Sequence, residues 1–103
     1  MRQGVDGPVD GGFVRELGAS PAEFERGLYL ALPGGVSSPA PLVYRADDGD
    51  AVLEVVLTAM PDRRVGQFSI PVTQARLRFL AGDAEACRRL LSRIDLAMQR
   101  GGG

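Results

Sequence analysis

Asp47-Asp48-Gly49-Asp50-Ala51-Val52-Leu53-Glu54-Val55-Val56-Leu57-Thr58-Ala59 is the stretch on which the fold turns. Leu53, Val55 and Leu57 fall at every second position, the spacing of a strand that buries one side. Asp48-Gly49, just ahead of it, supplies the positive φ of a hairpin turn, so Leu42-Val43-Tyr44-Arg45-Ala46 is expected to pair antiparallel beside it. The second face of the same strand carries Val52, Val56 and Thr58, with Glu54 as the one charged exception. A sheet face left in water alternates to polar residues, and this one does not. Val52 and Val56 are therefore candidate interface residues.

Downstream, Met60-Pro61-Asp62-Arg63-Arg64 reads as a turn. Val65 to Leu80 is β-prone but changes phase: Phe68, Ile70 and Val72 share one parity, and Ala75, Leu77 and Phe79 share the other. A strand keeps its faces unless an extra residue is inserted, so a bulge is expected near Pro71 to Gln74, bending one long strand. Gly82-Asp83 then opens a helix, with Asp83 as N-cap and Cys87, Leu90, Leu91, Ile94, Ala97 and Met98 as its apolar stripe.

Upstream, Ser20-Pro21-Ala22-Glu23 carries a capping box with proline at the first helical position. Phe24, Leu28, Ala31 and Leu32 follow at helical spacing, and Pro33-Gly34-Gly35 stops the run. Leu28, Leu30 and Leu32 also alternate as a strand would; the cap favours the helix, with Gly27 its weak point. Val36 to Pro41 is expected as a loop, and Phe13-Val14-Arg15-Glu16-Leu17 fits either a short strand or a packed lead-in. The expected fold is α+β: an antiparallel meander sheet of three to four strands, one long and bent, with an N-terminal and a C-terminal helix packed on it. Residues 1–12 are expected as a flexible arm, 13–100 as a single α+β domain, and 101–103 as flexible glycines.

Composition narrows the chemistry. The 103 residues are 45% hydrophobic and 24% charged, proportions suited to one globular domain. Twelve arginines stand against thirteen acids, for a net charge of -1, and lysine, histidine and tryptophan are absent. Arginine as the sole basic residue, with abundant Ala and Gly, reads as a GC-rich bacterial genome. Without histidine there is no Ser-His-Asp or Cys-His arrangement, and without lysine no Schiff base or phosphate-loop lysine. One cysteine and no histidine leave no nitrogen- or sulfur-ligated zinc site and no intramolecular disulfide, which fits a cytoplasmic location. The apolar runs are too short to span a membrane, and Met1 to Gly12 lacks the apolar segment of a secretory signal. The near-neutral charge argues against a nucleic-acid partner.

Three constellations remain. The carboxylates of Asp47, Asp48 and Asp50 are accounted for by the hairpin turn rather than by calcium. Cys87 lies on the apolar stripe of the last helix and reads as a small core hydrophobe. Arg63, Arg64, Arg76 and Arg78 are candidate anion-binding residues if the bend gathers them, and otherwise a solvated face paired with acids. No catalytic, cofactor-binding or metal-binding residues are assigned. The expected function is a non-catalytic binding or assembly domain, acting as a homodimer, with a protein or small-anion partner open. The alternatives are an anion or nucleic-acid-binding module using the arginines, and a small enzyme using only carboxylates and arginine.

Overall fold

The computed structural model describes residues 12–102. The chain runs β1 (Phe13–Leu17), α1 (Pro21–Ala31), β2 (Val36–Ala40), β3 (Val43–Asp47), β4 (Val52–Val65), β5 (Phe68–Ala81) and α2 (Ala84–Gly102). The strands form one sheet in the order β1-β5-β4-β3-β2, with every neighbouring pair antiparallel. Four antiparallel steps make β1 and β2 parallel at opposite edges, so α1 carries the chain across the sheet between them. The arithmetic fits: four strand spacings are about 19 Å, and a helix of this length spans about 16 Å before its loops are added.

α1 begins as its sequence dictates. Ser20 Oγ accepts from the Glu23 amide at 3.2 Å, and Glu23 Oε1 accepts from the Ser20 amide at 2.8 Å. α2 is capped by Asp83, whose Oδ1 accepts from the Ala86 amide at 2.8 Å, and it continues through Gly101 and Gly102 rather than stopping at the glycines. Both helices share one core with Leu53, Val55 and Leu57 of β4, through Phe24 and Leu28 of α1 and Ala86, Leu90 and Ile94 of α2. Polar ties lock the layers together. Arg93 donates to the last α1 carbonyl, Ala31, at 2.9 Å, and Arg15 of β1 pairs with Asp95 of α2 at 2.7 Å. The fully buried Thr73 hydroxyl donates to the Ala19 carbonyl at 2.6 Å, holding the β1–α1 loop on β5.

The sheet has five strands, not three to four. Phe13–Leu17 is a paired edge strand, and so is Val36–Ala40, which the sequence reads as a loop. Pro39 is tolerated because β2 has a neighbour on one side only. The turn at Pro41-Leu42 puts Leu42 at φ 63°, a position usually left to glycine, and the Leu42 carbonyl accepts from the Leu57 amide at 2.9 Å.

The expected turn at Met60 to Arg64 is also corrected. β4 runs straight through Pro61 to Val65, and the chain reverses at Gly66-Gln67, with Val65 opposite Phe68. Gly66 at φ 61°, the first central position of a two-residue hairpin, supplies the conformation that turn requires. The pairing of β3 ends at Val56 and that of β1 at Thr73. Beyond those points β4 and β5 continue as a two-stranded arm, and Pro61 and Pro71 fall in it, where no outer strand needs their missing N–H.

The bulge is placed differently as well. The register slips between Met60 and Arg63, so the extra residue lies on β4, opposite Pro71, and β5 alternates without interruption from Phe68 to Phe79. Its apolar residues do divide between two faces: Ala75, Leu77 and Phe79 lie under the helices, and Phe68, Ile70 and Val72 on the reverse. Of the arm expected at residues 1–12, residues 1–11 lie outside the described residues.

Candidate functional site

Residues opposite one another in the ladder share a face, so the register defines the sheet surface that the helices leave uncovered. One row crosses four strands as Val14, Arg76, Val56 and Val43. The next row, toward the Asp48-Gly49 turn, holds Arg78, Glu54 and Arg45; the row on the other side holds Glu16, Gln74 and Thr58. On the arm the same face continues as Met60 with Val72, Arg63 with Ile70, and Val65 with Phe68.

Val52 and Val56 both lie on this face, as their phase against Leu53, Val55 and Leu57 requires, and both are half-exposed. Val14 and Val65 are also exposed, and Phe68 at the arm tip is 73% exposed, the highest value among the exposed large apolar side chains. The surface is thus an apolar cross-sheet row and an apolar arm tip, separated by a polar belt.

The four candidate arginines are only partly gathered. Arg76 and Arg78 lie two residues apart on the uncovered face, and Arg63 shares that face on the arm. Arg64 pairs with Ser69 and belongs to the opposite side of the arm. Arg78 bonds Glu54 at 3.1 Å, and Arg63 approaches Glu16 at 3.8 Å, linking the arm to β1. Such exposed pairs contribute at most about 1 kcal/mol each; their effect here is to neutralise charge rather than to build a cation cluster. Arg88 and Arg89 likewise pair with Glu85 in the first turn of α2.

A groove of about 390 Å³ lies on the other side of the molecule, lined by Leu17, Phe24, Gly27, Leu30, Ala97 and Met98. α1 and α2 approach closely at Gly27, where a Cβ would stand 2.5 Å from Sδ of the flexible Met98 side chain. A shallower polar depression of about 280 Å³ is lined by Gly35, Ser37, Arg45 and Asp47.

The titratable groups show ordinary structural roles. Asp48 Oδ1 accepts from the Asp50 and Ala51 amides, both at 2.9 Å, and these bonds hold its carboxyl below the usual range. Asp47 Oδ1 accepts from Gly49 at 2.8 Å, so these two turn carboxylates are spent on backbone amides. Among the described residues no group of three or more acidic or cysteine side chains is placed to hold a metal ion. Burial raises the Cys87 thiol, and the Asp83 and Asp48 carboxylates add to the effect. Burial also raises the Tyr44 hydroxyl, which donates to Glu25 Oε1 at 3.1 Å from beneath α1.

Sequence reasoning placed Val52 and Val56 on the face opposite Leu53, Val55 and Leu57, as the register has them, but missed the arm. The signal was Val65-Gly66-Gln67-Phe68, a two-residue hairpin with glycine at its first central position, which the louder Met60-Pro61-Asp62 obscured. The fold and this surface define a two-layer α+β domain with a projecting hairpin and one half-apolar sheet face. No protein-family model and no curated protein matches the chain. Among the described residues no helix is long and apolar enough to cross a membrane.

Proposed function

We propose that this chain is a non-catalytic binding or assembly domain of the bacterial cytoplasm that works as a homodimer, with Val52 and Val56 at or near the contact. The observation that carries the reading is the uncovered sheet face, where Val14, Val43, Val52 and Val56 stand half-exposed or exposed with no helix over them. Apolar surface of this kind on a small domain marks a contact with another macromolecule. A second copy is the simplest cover, because a two-fold axis lets one patch serve both sides.

Val56→Asp tests the reading. The side chain lies outside the helix-covered core, so the variant is expected to keep its fold, which far-UV circular dichroism checks, while a carboxylate at the centre of the face opposes pairing. Size-exclusion chromatography with light scattering is expected to show a dimer for the wild type and a monomer for the variant. A wild-type monomer overturns the proposal, as does a variant that folds and dimerises like the wild type. Anion binding is a second reading, favoured by Arg76 and Arg78 sharing the face. It requires inorganic phosphate to bind with an affinity that falls with salt and is lost in an Arg76→Ala/Arg78→Ala double variant.

A further inference from the structure

The order of chemistry along the uncovered face is self-complementary. From the arm tip inward the rows are apolar (Val65, Phe68), mixed (Arg63, Ile70), apolar but largely covered within one chain (Met60 half-buried, Val72 7% exposed), polar with an acid (Thr58, Gln74, Glu16), and apolar with one cation (Val14, Arg76, Val56, Val43). We propose that two copies pack these faces together about a two-fold axis that crosses the strands at the Met60–Val72 row, so that each hairpin arm clasps the sheet of the other copy. The inference rests on the homodimer reading and adds the register of the contact and the part that the arm plays in it.

An axis at Val72 brings residues equally distant from it on β5 into opposition. Phe68 then lies against the row of Arg76 and Val56, and Ile70 with Arg63 lies against the row of Gln74, Thr58 and Glu16. The most exposed ring thus meets a row that carries Val14, Val43 and Val56. The row carrying Arg63 meets the row carrying Glu16 twice, once on each side of the axis. These two side chains already approach within 3.8 Å inside one chain, so their opposition across the contact needs only a change of partner.

Charge selects this register over its nearest competitor. An axis one row inward, at Gln74, also opposes apolar rows, but it places the two Glu16 rows on each other. It also sets Arg63 against a row of Arg78, Glu54 and Arg45 that carries a net positive charge. Like charges in opposition across an interface are a strong penalty against a wrong pairing.

Area points the same way. Three of the five strands have only five residues, so the five-stranded part makes a face of roughly 400 Å² in projection at ordinary sheet spacings. A stable interface buries roughly 800 Å² on each partner, so the bare sheet falls short. The arm supplies the remainder only if it lies on the partner. Residues 61–69 are exposed without interruption, which leaves both the surface and the reach for that contact.

Cross-linking reads the register directly. In a Cys87→Ser background, Met60→Cys and Thr58→Cys each place one thiol on the face, on the proposed axis row and on the competing row respectively. With the shortest bifunctional maleimide, Met60→Cys is expected to give a covalent dimer at least tenfold faster than Thr58→Cys. Phe68→Ser, at the exposed arm tip, is expected to raise the dimer dissociation constant at least tenfold in sedimentation. Faster coupling through Thr58→Cys overturns the register. A dimer by sedimentation that couples through neither position, or that is indifferent to Phe68→Ser, overturns the clasp and leaves the homodimer reading standing. A monomer by sedimentation overturns both.

Discussion

Ile94→Ala and Leu91→Ala test whether α2 is clamped on the sheet as described. Ile94 is 2% exposed and belongs to the same cluster as Leu53, Leu77 and Leu90, whereas Leu91, one position round the helix, is half-buried at its edge. Removing a fully buried isoleucine side chain costs about 2–5 kcal/mol, part transfer and part cavity. The site has little room to relax, because Arg93 is bonded to the end of α1 and Asp95 to β1 on either side of it. The upper half of that range, about 3–5 kcal/mol, is therefore expected for Ile94→Ala, and about 1–2 kcal/mol for the partly exposed Leu91→Ala. A domain of this size has about 5–15 kcal/mol in total, so the first variant loses a large share of its stability. With a urea slope of about 1–2 kcal/mol/M, its midpoint should fall by about 2 M or more. Far-UV circular dichroism is the suitable probe, since the chain contains no tryptophan. Near-zero changes at both positions, or equal changes at the two, would refute the packing of α2 on the sheet.

Thr73→Val keeps the shape of a fully buried side chain but leaves the Ala19 carbonyl without its donor; about 1–3 kcal/mol of stability should be lost in the same urea assay. Cys87 should react slowly with a maleimide in the native protein at neutral pH and quickly after denaturation, because burial and the Asp83 and Asp48 carboxylates disfavour its thiolate. Asp48 has a lowered folded pKa, so its contribution is complete above the ordinary carboxylate value of about 4 and is lost as pH falls through the lowered one. Asp48→Asn should accordingly flatten the acid limb of the stability–pH curve, and an unchanged limb would contradict the role given to the two amide bonds.

Local rules were legible wherever one residue decides. Ser20 with Glu23, Asp83 before α2, and Asp48-Gly49 between β3 and β4 all act within a few residues of themselves, and all appear where the sequence put them. The phase of Val52 and Val56 against Leu53, Val55 and Leu57 was legible for the same reason: alternation needs no knowledge of the neighbours. What sequence reading missed depends on distant chain. Val36–Ala40 has two serines and a proline and becomes a strand only because β3 presents Ala46 and Arg45 to it. Pro61 looks like a turn until it is known that β3 stops at Val56 and leaves that side of β4 free. The apolar residues of β5 do change parity, but the rule that a strand keeps its faces unless a residue is inserted points to a bulge in β5, whereas β5 stays regular there and its two halves are apolar on opposite faces. The arginines failed to converge because Arg63 and Arg64 sit on a projecting arm rather than in a turn folded back on the sheet.

The central claim is that the face carrying Val14, Val43, Val52 and Val56 is covered by a second copy of the chain. Sedimentation equilibrium of the wild-type protein over a micromolar dilution series measures this most directly. A mass of twice the 10.9 kDa chain, falling toward one chain only on dilution, is the predicted result. A single compact species of one chain's mass at every concentration would contradict it.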